Sequence, residues 1–399
     1  MSSPPSADAL NKQLALRFVL LLGLVSLLAD TTYEGARSIA GPFLATLGAT
    51  GAAVGMIAGF GELVGYGLRL VSGLIADRTK RYWTITLLGY AVNLAAVPLL
   101  ALAGRWEIAA VLLIAERVGK AIRTPARDVM LSHATARVGA GWAFGLHEAL
   151  DQVGAVAGPL LVAALLRGDA SYRAGFAALV VPAVAAIAVL LVARALYARP
   201  QDLEPAGVPL ESRGLAKVYW LYLGAVGLVA AGYVDFPLIA YHFERAGVVG
   251  SATIAAFYAV AMGVDAVAAL LFGRLFDRFG ISVLAAASLL SALVAPLAFL
   301  GGFHAALLGA ALWGVGMGAQ ESVMRAAVAG MVPAERRGAA YGVFNAGYGL
   351  AWFVGSAVLG VLYDASLPRL VAFSVASQAA AAALFLALMR QVGRGSSPR

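Results

Sequence analysis

Apolar runs of about 20 residues follow one another along almost the whole chain, separated by short polar or basic turns. A hydrocarbon core about 30 Å thick is crossed by about 20 apolar residues in helical form. The runs therefore predict spanning helices near 14–38, 49–75, 82–103, 106–130, 141–166 and 172–195, then near 216–241, 249–275, 281–301, 304–330, 339–363 and 367–390. A membrane β-barrel would instead show strict alternation over about 10 residues. No such alternation is visible, and lipid leaves only helices or closed barrels as spanning structures. The expected fold class is an all-α integral membrane protein with twelve transmembrane helices.

Polar stretches divide the chain further. Residues 1–13 form a polar tail, and 14–197 the first set of six helices. The Pro-, Glu- and Arg-containing stretch 198–215 reads as a linker. The second set of six occupies 216–390, and 391–399 form a second tail. The N-terminal segment MSSPPSADALNKQLALR has no cleavable-signal pattern, so the first apolar run is expected to remain as a helix.

Composition agrees with this reading. The 399 residues are 61% hydrophobic and 13% charged, with mean hydropathy +0.85. A soluble domain is about 45–50% apolar and about 25% charged. There are no cysteines, which excludes disulfides and thiolate metal sites. The net charge of +8 is distributed by topology. Eighteen basic residues, among them Arg17, Lys80, Arg81 and Arg194, fall on one side of the predicted helices, and five on the other. Basic loops mark the cytoplasmic side, so both termini and the linker are expected in the cytoplasm. No basic soluble domain is present to suggest a nucleic-acid partner.

The chain also repeats itself. Gly73-Leu-Ile-Ala-Asp77-Arg78 returns as Gly273-Arg-Leu-Phe-Asp277-Arg278, after the second helix of each half. Gly141-Trp-Ala-Phe144-Gly145 is echoed by Gly338-Ala-Ala-Tyr341-Gly342, and Gly158 by Gly355. Duplicated halves are a hallmark of carrier proteins. Gly-x-x-x-Asp-Arg after the second helix, followed here by Thr79-Lys80-Arg81, resembles motif A of the major facilitator superfamily. The likeness covers twelve helices, the central linker and the repeated loop. It implies two pseudo-symmetric six-helix bundles. It also implies a cytoplasmic gate of Gly73, Asp77, Arg78, Arg81, Gly273, Asp277 and Arg278, with Asp77 facing the helix start near Gly338. The family usually has glycine where Lys80 stands; the second copy keeps it as Gly280.

Charges within the apolar runs carry the functional signal, because a charge at mid-bilayer costs at least about 2.5–3.5 kcal/mol. Asp30, Glu34 and Arg37 share one face of the first helix, with Tyr33 nearby. They read as a proton or cation site, with Arg37 holding one carboxylate, or as a structural ion network. Glu62 and Arg69 share a face of the glycine-rich second helix and read as structural. The fourth helix carries Glu116, Arg117, Lys120, Arg123, Arg127 and Asp128. Glu116 and Lys120 form an i,i+4 pair, while Arg123, Arg127 and Asp128 are placed toward the cytoplasmic surface. Arg117 resembles the arginine of the family's motif B, which implies a part in proton transfer. The fifth helix has His147, Glu148 and Asp151, with Asp151 spaced to meet both others. His147 fits a proton relay or a packing role. Gly154-x-x-x-Gly158-Pro159 resembles the core of motif C, associated with antiporters; a packing bend explains it as well. In the second half Tyr233, Asp235, Asn345, Tyr348 and Trp352 are candidate substrate contacts or packing residues, alongside Gln320 and Glu321.

No phosphate-binding loop, zinc-protease pattern or serine-hydrolase elbow occurs, so no enzyme, catalytic residue, cofactor or metal is expected. The resulting expectation is a proton-coupled secondary transporter of a bacterial inner membrane, working as a monomer in lipid, with protons as coupling ion. Efflux by proton/substrate antiport leads. Uptake of an organic anion, a lipid, amphiphile or metal-ion carrier, and a transporter-like receptor are the alternatives.

Overall fold

The computed structural model describes residues 7–138, 140–198, 217–331 and 337–395; the linker 198–215 lies almost wholly outside them. The described residues are helical throughout, apart from short turns. The first half contains α1 (Ala7–Thr46), α2 (Gly51–Thr79), α3 (Tyr82–Leu99, continued by a 3-10 turn, Leu100–Leu102), α4 (Trp106–Val138), α5 (Ala140–Arg167), and α6 and α7 (Tyr172–Ala178 and Val180–Leu196). The second contains α8 and α9 (Lys217–Gly232 and Phe236–Arg245), α10 (Ser251–Phe279), α11 and α12 (Ser282–Ser291 and Val294–Leu300), α13 (Phe303–Met331), α14 (Arg337–Ala365) and α15 (Leu367–Gly395).

Among the described residues, ten helical segments are long and apolar enough to cross a membrane. The two remaining long helices are α4, diluted by its charges, and α13, diluted by glycines, Gln320 and Glu321. With them the twelve expected spans are present. Large apolar side chains stand on the outside, Leu102 at 76% exposure and Val181 at 71%. Such a surface suits lipid, where water would penalise it.

The chain forms two compact units: Met1–Ala36, Leu68–Ala103 and Val111–Pro209, and Arg37–Gly67, Gly104–Ala110 and Leu210–Arg399. In the first unit α3 packs on α7 and α6. There α3 and α4 cross with backbone nearly in contact: a Cβ on Gly89 would press within 2.6 Å of the Arg123 nitrogen. A Cβ on Gly158 of α5 would likewise press on the Thr31 carbonyl of α1 and lie 2.8 Å from the Gly35 nitrogen. Small residues allow such contact, and dispersion then holds helices together where lipid offers no hydrophobic driving force. Pro159 follows inside α5.

In the second unit α10 packs on α13, and α8 on α14 and α15. The hairpin tip of α1 and α2 belongs here. A Cβ on Gly59 would meet Ser356 and Phe353 of α14, and the amides of Gly51 and Ala52 donate to the Asp364 carboxylate at 2.9 and 2.8 Å.

The seventh span is broken at Tyr233–Asp235 between α8 and α9. Neighbouring helices satisfy the carbonyls beside the break. Gln378 Nε2 donates to Val229 O at 2.9 Å, Ser374 Oγ to Gly232 O at 2.7 Å, and Trp313 Nε1 to Val234 O at 2.8 Å. Irregular backbone at membrane depth persists only with such partners.

Candidate functional site: a buried ionic cluster and an acid at a helix break

In the first unit α1 turns Ser26, Asp30, Tyr33 and Glu34 toward α4 and α5. The four lie three, four or one residues apart, as a helical face requires. Asp30, Tyr33 and Glu34 are all buried, at 5–7% exposure. Lys120 Nζ lies 4.0 Å from Glu34 Oε1 and 3.9 Å from the centre of the Tyr33 ring. Arg123, 1% exposed, donates from Nη1 to the Tyr90 hydroxyl at 2.9 Å and stacks over that ring at 4.2 Å. Arg127 Nη1 donates to Ser26 Oγ at 2.9 Å. Ser26 Oγ is in turn 3.2 Å from His147 Nε2, which is 3.8 Å from Asp151 Oδ2. Asp30 is in electrostatic range of Asp151, Lys120 and Arg123. Asp30 Oδ1 and Asp151 Oδ1 are buried with no hydrogen-bond partner among the described residues.

Several expectations are corrected by this arrangement. Arg37, expected to hold a carboxylate of its own helix, reaches Glu62 Oε1 of α2 from Nη2 at 3.1 Å, within the second unit. Glu116 acts on Lys120 electrostatically, as the spacing predicted, but Glu34 of α1 acts on it more strongly. Glu116 accepts from Asn93 Nδ2 at 2.8 Å and lies 3.3 Å from Arg117 Nε, which leaves Lys120 to face α1. Asp151 meets His147, as expected, while exposed Glu148 accepts from Gln152 one turn on. Arg123 and Arg127, placed by sequence at the cytoplasmic surface, are inside the cluster. Arg123 stands three residues after Lys120 and Arg127 four after Arg123, on one face, which was the available signal. Three partners were missed: Tyr90 of α3 for Arg123, Ser26 of α1 for Arg127, and Asn93 of α3 for Glu116. Gly154 and Gly158 serve the α1–α5 contact; a Cβ on Gly154 would lie 3.0 Å from that of Asp30.

The second unit holds a separate constellation. Asp235, 2% exposed at the break, accepts from Trp352 Nε1 at 2.8 Å and from the Ser356 hydroxyl. The Tyr233 hydroxyl donates to the Trp313 carbonyl, and its ring is 5.8 Å from that of Trp352. Tyr348 donates to Gln320 Oε1 at 2.9 Å and meets Tyr66 edge-on at 5.2 Å. With Met317, Glu321, Met324 and Phe344 these side chains line a cavity of about 20 Å³. Asn345 is half-buried on the same helix. Buried Asp265 on α10, electrostatically coupled to Tyr233, had no motif to announce it. Among the described residues no three His, Asp or Glu side chains are grouped to hold a metal ion.

The repeated loop is built alike in both halves. Asp77 and Arg78 are exposed at the end of α2, Asp277 and Arg278 at the end of α10. Gly73 and Gly273 are half-buried one turn earlier, and Arg81 is exposed ahead of α3. Lys80 (φ 55°) and Gly280 (φ 61°) both have left-handed backbone. The expected partner of Asp77 near Gly338, and the Gly141–Gly145 repeat, fall where side chains are outside the described residues.

A twelve-span helical fold with buried charge clusters defines a membrane carrier, and the comparisons give its family. The Major Facilitator Superfamily model matches residues 21–356 and 234–399. The chain belongs to that superfamily: it is a multi-pass transporter, not an enzyme. An uncharacterized protein of Mycobacterium tuberculosis is 44% identical over 382 residues, covering 94% of this chain and 93% of its own. An uncharacterized superfamily-type transporter of Methanocaldococcus jannaschii is 30% identical over 143 residues, 36% of each chain. The fold is that of a nucleoside transporter, NupG (TM-score 0.77, 13% identity, 93% of this chain and 99% of that one), and of a POT peptide transporter in complex with sulfate (TM-score 0.75, 15% identity, 96% and 98%).

Proposed function

We propose that the protein is a proton-coupled secondary transporter exporting a small molecule by antiport, through alternating access. The observation that carries this reading is Asp30: a buried acid beside Lys120 and Arg123, with one carboxylate oxygen lacking a donor among the described residues. A buried acceptor left unmet costs about 1–3 kcal/mol. A proton on the carboxyl group, or a cationic or hydrogen-donating group of a substrate, relieves that cost. The two compete for one acceptor, which is the physical basis of exchange. Asp151, His147 and Ser26 extend from Asp30 as a chain along which a proton is passed, with Arg127, always charged, donating to Ser26 and holding it in place. Glu34 and Lys120 stay paired and hold the local charge near balance.

Export is favoured by the resemblance of Gly154-x-x-x-Gly158-Pro159 to motif C, whose glycines here seat α5 on the Asp30 turn of α1. The excess of basic loops on one side places both termini in the cytoplasm of a bacterial inner membrane. A monomer suffices, since each constellation is completed within one chain.

Proteoliposomes loaded with a pH-sensitive dye test the reading, challenged with lipophilic cations, organic acids, sugars, amino acids and divalent metals. Substrate-dependent proton movement opposite to substrate movement, lost in Asp30→Asn, is expected. Movement in the same direction means symport, and undiminished coupling in Asp30→Asn removes Asp30 from the mechanism.

A further inference from the structure

At the end of α3 that begins with Tyr82, a cavity of about 500 Å³ opens where α3 packs on α7. Its lining combines three cations, Lys80, Arg81 and Arg194, with Tyr82, Trp83 and Thr84. Among the described residues no acidic side chain lines it. Trp83 is fixed there by donating from Nε1 to the Tyr197 carbonyl at 2.9 Å and by the edge of the Phe18 ring at 6.2 Å. Arg17 adds positive charge beside Tyr197. Directly along α7 the surface turns apolar, with Leu191, Val192 and Leu196 at 50–66% exposure.

Lys80 supplies a second, independent observation. Its left-handed backbone is sterically costly for an L-residue, and the equivalent position of the other half is Gly280. A strained non-glycine residue points to a use for its side chain. Here that side chain is an ammonium on the cavity wall.

We propose that this cavity binds the headgroup of an anionic phospholipid. The phosphate would sit among Lys80, Arg81 and Arg194, with Thr84 as a hydroxyl donor and an acyl chain along Leu191 and Leu196. Basic pockets between spanning helices recognise such headgroups, and tryptophan and tyrosine favour the same interfacial depth. Lipid, not free phosphate, is the occupant because the cation cluster adjoins an apolar face suited to acyl chains.

The test is native mass spectrometry of the full-length protein in detergent, titrated with phosphatidylglycerol, with phosphatidylcholine of the same chains, and with inorganic phosphate. Phosphatidylglycerol should bind at least fivefold more tightly than phosphatidylcholine, and millimolar phosphate should not displace it. Each charge removed should weaken binding about fivefold, in Arg194→Gln and, with the turn geometry preserved, in Lys80→Gly. Arg105→Gln, far along the chain on an exposed residue, should leave binding unchanged. Equal retention of the two lipids, undiminished binding by both variants, or displacement by phosphate would overturn the proposal. Should Arg194→Gln fail to fold, Lys80→Gly decides alone.

Discussion

At the residue scale, two positions show how backbone and burial set the roles of single side chains. Lys80 and Gly280 occupy matching left-handed turns, and only glycine takes that conformation without steric cost. Lys80→Gly is expected to raise the unfolding midpoint in neutral detergent, by about 1 kcal/mol of released strain less the entropy glycine gains in the unfolded chain. Gly280→Ala, with ψ −145° as well, should lower it. Thermal unfolding followed by circular dichroism reads both. Arg123 is the opposite case, a cation with 1% exposure held by Tyr90. Tyr90→Phe removes its hydroxyl partner while keeping the ring beneath the guanidinium. A loss of about 1–3 kcal/mol is expected, as for an unmet charge-assisted hydrogen bond. A midpoint equal to wild type would show that Arg123 has another sufficient partner.

At the element scale, the break between α8 and α9 depends on its neighbours. Asp235→Ala leaves the Trp352 indole N–H and the Ser356 hydroxyl without their acceptor, each costing about 1–3 kcal/mol. Asp235→Asn keeps an acceptor for one of them and should cost less. If the two variants unfold at the same temperature, hydrogen bonding to Asp235 is not what secures the break. The α1–α5 contact is equally specific. Gly158→Leu should separate the helices and lower both stability and transport, since the side chain would enter the Thr31 backbone. Wild-type transport in that variant would show that close contact at this turn is dispensable.

Element boundaries were legible because the requirement for about 20 apolar residues is local and strong. Predicted spans such as 82–103 and 172–195 match α3 with its 3-10 turn and α6–α7 within a few residues. The break at Tyr233–Asp235 was not predicted, although Gly232 ends α8 and Pro237 stands in the first turn of α9 on either side of it. It exists because partners from α13, α14 and α15 satisfy its polar groups, and those partners lie about 80 to 150 residues away.

At the scale of the whole molecule, charges divide by the unit they fall in. One helix, α1, carries Asp30 and Glu34 into the first unit and Arg37 into the second. Sequence spacing made these one group, because helical periodicity reports a shared face and says nothing about which neighbour covers each turn. The proposed coupling rests on the first group. Neutralising Asp30 or Asp151 singly should abolish substrate-dependent proton flux, whereas Glu62→Gln should act on stability. Proton flux in Glu62→Gln proteoliposomes distinguishes the two roles, and its complete loss there would assign coupling to the second unit as well.

By itself the sequence determined the membrane setting, the number of spans, the duplicated halves and the family. Each follows from composition and short-range pattern, which lipid enforces at every residue. The tertiary structure alone decided which buried charges pair: Lys120 with Glu34, Arg37 with Glu62, Glu116 with Asn93 and Arg117. It also decided that Arg123 and Arg127 are interior, that Asp235 stands at a break in the seventh span, and that Lys80 and Arg194 share one cavity. The physical reason is common to all of these. An ionic group in a low-dielectric interior takes the partner that packing brings within about 4 Å, and packing joins residues that the chain holds far apart.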